Sequence, residues 1–343
     1  MRGGCRWLAA VLCLSAALPA HAQEPVWQAR AAAAIGTLEQ TWGTADGWQA
    51  SENWQRFPIT DILMDYQRRT GDPRWSGKIA AAVRNRTGRY LNDDDLWAVI
   101  ASVDAWQLGH DPELLNWAAA NFARLVTDHW DDHCGGGLWW DPKHSYKNAI
   151  TNELLLHAAT RLYLATGQEA YRDWALRTWG WFAASGMIGP DGLVNDGLDA
   201  QCRNNGAPRY TYNQGVLLGG LNDLTAITGD PQYRTIAVPT ALAATRTLVT
   251  ANGLLTEPSD ALGADGPMFK GVFVYHLGHL VEAMADGPER TELRAWLARN
   301  SDAVWGLSAD GRQAVDGLWS GGSGQTGAAA EASAIALFLA AGS

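Results

Sequence analysis

A short phrase punctuates the chain at Thr70-Gly71-Asp72-Pro73, Leu108-Gly109-His110-Asp111-Pro112, Thr166-Gly167-Gln168, Thr228-Gly229-Asp230-Pro231 and Asp286-Gly287-Pro288. Each copy follows an apolar run with helical spacing and precedes another. Glycine ends a helix by taking the left-handed conformation, and Asp or Pro opens the next one. The glycines stand 38, 58, 62 and 58 residues apart, which is the signature of repeated helical hairpins. Strand signals are nearly absent. The pattern predicts twelve helices over 26–42, 59–69, 74–87, 95–108, 112–129, 148–165, 169–185, 214–227, 232–249, 271–285, 289–305 and 326–340. Six hairpins of this size close most naturally into an all-α (α/α)6 barrel, with an open superhelix as the alternative. No linker or shift in composition divides residues 23–343, so one domain is expected.

Residues 1–22 read as a secretory signal peptide. Arg2 and Arg6 precede an apolar run from Leu8 to Leu18, and Ala20-His21-Ala22 is a cleavage site. A secreted or periplasmic protein is expected. Two cysteines then remain, Cys134 and Cys202. An oxidising compartment permits their pairing, and sequence alone leaves it open. Without Arg2 and Arg6 the chain carries 24 basic against 36 acidic residues, a formal net charge of -12. That excludes nucleic acid and anionic membrane as natural partners and fits a neutral substrate. No later stretch is long and apolar enough to span a bilayer. A monomer acting on a polysaccharide or oligosaccharide is expected.

The helices before the turns are apolar and rich in small residues, as inner barrel helices must be. Those after the turns carry more charge and belong outside. Each inner helix opens on polar residues: Thr60-Asp61, Asp93-Asp94-Asp95, Tyr146-Lys147-Asn148, Tyr212-Asn213-Gln214, Phe269-Lys270-Gly271 and Gly324-Gln325-Thr326. Acids at one helix start are ordinary capping. In an alternating barrel, however, all six starts share one end, and their polar groups converge on one mouth. The long segments 130–146 and 191–212 join that end, and loops of such length are usually functional. Among the 18 Trp, most fill a helical core. Trp139 and Trp140, on a loop, are candidate sugar platforms.

Paired carboxylates at the mouth of a Trp-rich, acidic barrel point to glycoside hydrolysis, which needs one carboxyl as acid and another as base or nucleophile. Adjacent acids repel, and one keeps its proton. Zinc chemistry fits less well. His129 and His133, or His276 and His279, stand at near-helical spacing but lack the accompanying glutamate of a zinc protease helix. No cofactor or metal is expected.

Asn92-Asp93-Asp94-Asp95-Leu96-Trp97 resembles the Asp-Asp motif of glycoside hydrolase family 76, the endo-α-1,6-mannanases. Five further stretches are similar to the family in order: 134–140, 146–154, 193–198, 211–215 and 269–271. The resemblance implies an (α/α)6 barrel that cleaves α-1,6-mannan with retention of configuration. It places the nucleophile on Asp93 and the general acid/base on Asp94, with Asp95 as a cap or tuning neighbour. It implies that Trp97, Tyr146, Lys147, Asn148, Asp196, Tyr212, Asn213, Gln214 and Lys270 contact or support sugar. Two positions depart from the family pattern: Tyr275 stands where an Arg is common, and Ala98 where many members have Trp. Both are expected to bear on the sugar subsites. Alternatives are a transglycosylase at the same site, a non-catalytic glycan-binding barrel, or a hydrolase of another glycan.

Overall fold

The computed structural model describes residues 25–50, 52–86, 91–258, 263–308, 311 and 313–343. The signal-peptide expectation lies outside these residues. Twelve α-helices occur among them: α1 (Val26–Trp42), α2 (Arg56–Thr70), α3 (Ser76–Arg84), α4 (Asn92–Gly109), α5 (Pro112–His129), α6 (Ala149–Thr166), α7 (Glu169–Ala184), α8 (Thr211–Thr228), α9 (Arg234–Thr247), α10 (Gly266–Ala283), α11 (Pro288–Leu307) and α12 (Ala328–Ala340). The even-numbered helices pack in the cyclic order α2, α4, α6, α8, α10, α12 and back to α2. The odd-numbered helices lie outside, and α1 packs on α12 and completes the sixth pair. The fold is an (α/α)6 barrel.

The turn phrase acts largely as expected. Gly71, Gly167 and Gly229 cap α2, α6 and α8 with φ of 72°, 67° and 72°. At the second copy the left-handed position falls one residue later, on His110. The fifth differs in kind: Gly287 is extended and precedes α11, while α10 has already ended at Ala283.

Inner helices are buried all round and approach closely through small residues. A methyl group on Gly215 of α8 would lie 2.5 Å from the Phe273 Cα of α10, and one on Gly271 would lie 2.6 Å from the Ser333 Cα of α12. Any larger side chain at either position would force the ring apart.

Because helices alternate in direction, every inner helix starts at the same end. The loops entering α6, α8 and α10 carry short β-bridges, Trp130 with Leu138, Ile188 with Val194 and Val249 with Leu255. Side-chain amides from the barrel hold these loops as a strand would. Asn152 Oδ1 accepts from the Leu138 N–H at 2.7 Å and its Nδ2 donates to the Leu138 carbonyl at 3.0 Å. Gln214 does the same for Val194, at 2.8 Å in both directions. The mouth is therefore built from loops clamped to helix starts.

Candidate active site

Five of the six inner-helix starts surround a cleft of about 390 Å³ at the mouth. Its lining includes Glu52, Asn53 and Trp54 ahead of α2, and Leu91, Asp93, Asp94 and Trp97 from the start of α4. Trp140, Tyr146, Asn148 and Asp196 come from the two long loops, Tyr210 and Tyr212 from the start of α8, and Asp265 and Phe269 from that of α10. Gly324, Gln325 and Thr326 before α12 take no part.

Helix geometry sorts the three acids. Asp93 and Trp97 stand four residues apart and share a face, whereas Asp95 is rotated away from Asp93 by more than half a turn. Asp93 and Asp94 face the cleft. Asp95 instead meets Arg124 of α5 in an ion pair. The Trp140 indole N–H donates to Asp93 Oδ2 at 3.1 Å, and the Asp94 backbone N–H donates to Asp93 Oδ1 at 3.1 Å. Burial, followed by the charge of Asp94, pushes the Asp93 carboxyl up to about 8, against the pull of the Trp140 donor. At neutral pH the pair thus includes a carboxyl, Asp93, held toward its protonated form.

Asp196 stands on the opposite loop. It accepts from the Tyr146 hydroxyl at 2.8 Å and from Asn213 Nδ2 at 3.5 Å, and burial raises its pKa. Asn205 Nδ2 donates to the same Tyr146 oxygen at 2.8 Å. Aromatic rings pave the cleft between these acids. Trp97 stacks on Trp54 at 5.7 Å, Trp54 lies 6.2 Å from Phe269, and Phe269 stacks on Tyr212 at 4.0 Å. Such faces suit the C–H patches of a sugar. Glu52, Asp93, Asp94, Asp196 and Asp265 supply five carboxyls, and no described lining residue is cationic.

Several residues expected in the cleft hold it up from behind. Lys147 is buried, and its Nζ donates to Asp131 Oδ1 at 2.7 Å and to the carbonyls of His133 and Gly136, each at 2.6 Å. Its three protons are spent on the glycine-rich loop. Trp139 is buried, stacks on His133 and His144 at 5.2 and 5.3 Å, and donates to Asp131 Oδ2 at 2.8 Å. It anchors its loop and leaves the platform role to Trp140. Gln214 spends its amide on Val194, and buried Asn213 reaches Asp196 rather than the cleft. Lys270 is buried, with Nζ 6.0 Å from the Trp319 ring. Ala98 and Tyr275 are both buried off the cleft, so the two departures from the family pattern bear on packing rather than on its lining.

The expected helix boundaries account for what was misplaced and what was missed. α2 begins at Arg56, so Thr60 and Asp61 lie a turn inside the barrel and Trp54 takes the mouth position. α10 begins at Gly266, so Lys270 lies a turn inside and Asp265 stands at the mouth. Tyr210 and Phe269 were likewise legible only as residues just ahead of, or opening, an inner helix.

The two long loops are joined by a disulfide between Cys134 and Cys202, which ties the segment carrying Trp140 to the one carrying Asp196. His133 lies beside it, 3.8 Å from Cys202 Sγ. With both sulfurs bonded to each other, this His–Cys–Cys group has no thiolate to offer a metal.

Comparison with known proteins matches this architecture. The GH76A α-1,6-mannanase of Salegentibacter sp. HEL1_6 superposes with a TM-score of 0.82 over 92% of this chain and 99% of its own, at 23% identity. Dfg5 from Chaetomium thermophilum, determined in complex with glucosamine, gives 0.78 over 92% and 90% at 19% identity. Mannan endo-1,6-alpha-mannosidase DCW1 of Saccharomyces cerevisiae is 29% identical over 75% of this chain, and its Candida glabrata counterpart 30% over 73%. The chain spans 62% and 61% of the lengths of these two relatives. The sequence profile of glycosyl hydrolase family 76 matches residues 26–341, which takes in every helix of the barrel and every described residue of the cleft, and the chain belongs to that family.

Proposed function

We propose that the protein is a secreted glycoside hydrolase that cleaves α-1,6-mannosidic bonds by a retaining double displacement at Asp93 and Asp94. The observation that carries this reading is the pair itself: adjacent carboxyls, one of them pushed toward its protonated form, in an aromatic cleft whose described lining has no cation. A neutral glycan meets no electrostatic cost there. In the Salegentibacter mannanase, an inactive variant with two adjacent aspartates replaced was determined with α-1,6-mannotetrose, which supports both the residue type and the substrate.

In the first step the ionised carboxylate attacks the anomeric carbon, and the protonated carboxyl gives its proton to the departing glycosidic oxygen. In the second, water donates its proton to the now-ionised acid/base and displaces the enzyme carboxylate. The resemblance to the family implies Asp93 as the nucleophile. The raised pKa of Asp93 favours the exchanged roles, with Asp94 attacking. An aryl α-mannoside with a good leaving group separates the two, because it needs no acid. The Asn variant of the acid/base residue keeps the first step and is rescued by azide; that of the nucleophile does neither.

Incubation of the protein with debranched α-1,6-mannan tests the activity. Short oligosaccharides are expected, and their release is abolished by Asp94→Asn. Added acceptor sugar that is incorporated in preference to water would make the protein a transglycosylase. Glycan binding without turnover, unaffected by Asp93→Asn and Asp94→Asn, would make it a binding module.

A further inference from the structure

The cleft is bounded on one side by a link between two helix starts that are not neighbours in the ring. The Trp54 indole N–H donates to Asp265 Oδ1 at 2.6 Å, and Gln55 Nε2 donates to the Ala264 carbonyl at 2.7 Å. These bonds join the segment ahead of α2 to the one ahead of α10. Both helices flank α12, so the link passes across the α12 start. Gly324, Gln325 and Thr326 are left exposed beyond it and contribute nothing to the cleft. The crossbar is rigid by construction. Its bond to Asp265 is short, and the Trp54 ring is wedged between Trp97 and Phe269. Trp97 stands one turn along α4 from Asp93, so a single indole separates the crossbar from the candidate catalytic pair.

We infer that the Trp54–Asp265 crossbar is a specificity-determining wall. It ends the row of sugar subsites on the α2/α10 side and thereby fixes how many residues of a glycan chain lie between the scissile bond and that end. This inference rests on the mannan-cleaving reading above and adds the length of the product. Two groups do the work: the Trp54 ring occupies the space the next sugar would need, and Asp265 keeps it there.

The test is a product profile. Defined α-1,6-mannooligosaccharides of increasing length are digested by the parent, Trp54→Ala, Trp54→Phe and Asp265→Ala, and early products are separated by size. The parent is expected to release a narrow set of short products. Trp54→Ala opens the wall and shifts that set to products at least one residue longer. Trp54→Phe keeps a ring but loses the donor and shifts the set less; Asp265→Ala, which frees the indole, behaves likewise. These two milder variants carry the test if circular dichroism shows that Trp54→Ala is unfolded. An unchanged profile in folded variants overturns the inference, as does a uniform rise in KM at every length, which would make Trp54 a platform and not a wall. A parent inert on every mannan substrate overturns the functional reading, and the inference with it.

Discussion

The two halves of the barrel interior use the same residue types in opposite ways. At the mouth, Asp93, Asp94, Asp196 and Asp265 face a cleft with no described cation in its lining. In the lower half, toward the C-terminal turns of the inner helices, several acids are answered by cations. Arg161 of α6 lies 3.5 Å from Asp104 of α4 and 3.3 Å from Asp223 of α8. His157 lies 2.9 Å from Asp223. Arg69 reaches Asp65 at 2.7 Å and Glu282 at 2.5 Å. The acids divide accordingly. Against the cost of burial, Arg161 and His157 hold Asp223 well below the usual carboxylate range, and His279 and Arg69 hold Glu282 at about 2. At the mouth, burial without a counter-charge drives Asp93 the other way. Charge compensation thus sets Asp223 and Glu282 apart from Asp93.

The largest test of this contrast is at the mouth. Asp93→Ala and Asp94→Ala are each expected to cut mannan hydrolysis by on the order of 10³-fold or more while the protein stays folded, because both side chains face the cleft. Initial rates alongside thermal melts check both halves of the statement. A variant that lost its fold along with its activity would move the pair to the structural side.

The reverse holds below. Arg161→Met leaves Asp104 and Asp223 buried without their shared cation, and breaking such a network costs about 3–5 kcal/mol. Urea denaturation should show that loss, while kcat per folded molecule remains near the parent value. A selective loss of kcat would mean that the lower network reaches the chemistry.

Much of this contrast could be read in the sequence, and the rest could not for identifiable reasons. The turn phrase and the spacing of apolar runs were enough for the barrel, because glycine caps and helical periodicity are local signals. The convergence of polar helix starts pointed to the mouth, and Asp93, Asp94, Trp97, Trp140, Tyr146, Asn148, Asp196 and Tyr212 do line one cleft. The register within each helix was harder. A boundary shifted by three to five residues turns a mouth residue into an interior one, which is how Asp61 and Lys270 came to stand for Trp54 and Asp265. The amide clamps escaped for another reason: whether Gln214 meets a sugar or the Val194 backbone depends on a loop twenty residues away. The lower network was invisible as a unit, since Asp104, Arg161, Asp223 and Glu282 come from four helices and no local pattern joins them.

Acidity gives the comparison opposite signs in the two halves. Asp93 has an unfolded value of 3.8 and a folded one of about 8, so the folded protein holds a proton that the unfolded chain releases. Its contribution to stability falls as pH climbs through that window. Glu282 has an unfolded value of 4.5 and a folded one of about 2; its contribution is present above 4.5 and is lost as pH falls toward 2. Asp93→Asn should therefore flatten the decline in melting temperature between pH 4 and 8 and leave the acid limb as it was. Glu282→Gln should soften the acid limb alone. The Asn variant would be inactive and yet, near pH 8, more stable than the parent, as expected of a site that holds a carboxyl in an environment favouring its neutral form.

The smallest effect is expected at Asp95, and it is the sharpest test of the register at the mouth. Asp95 follows the candidate pair directly but turns outward to Arg124, a residue whose side chain is 40% exposed. Exposed pairs of this kind contribute about 0–1 kcal/mol. Asp95→Ala should shift the unfolding midpoint slightly and leave kcat/KM within a few-fold of the parent. High salt should shrink even the stability difference, because it screens the pair. If Asp95→Ala instead matched Asp94→Ala in lost activity while Asp93→Ala was tolerated, the working carboxyls would be Asp94 and Asp95. The α4 start would then have to rotate by about 100° to bring both into the cleft. That rotation would carry Asp93 and Trp97 out of it, breaking the Trp140 hydrogen bond and the Trp54 stack together. The aromatic floor and the identity of the pair are therefore one fact about the helix, and a single alanine variant at Asp95 interrogates both.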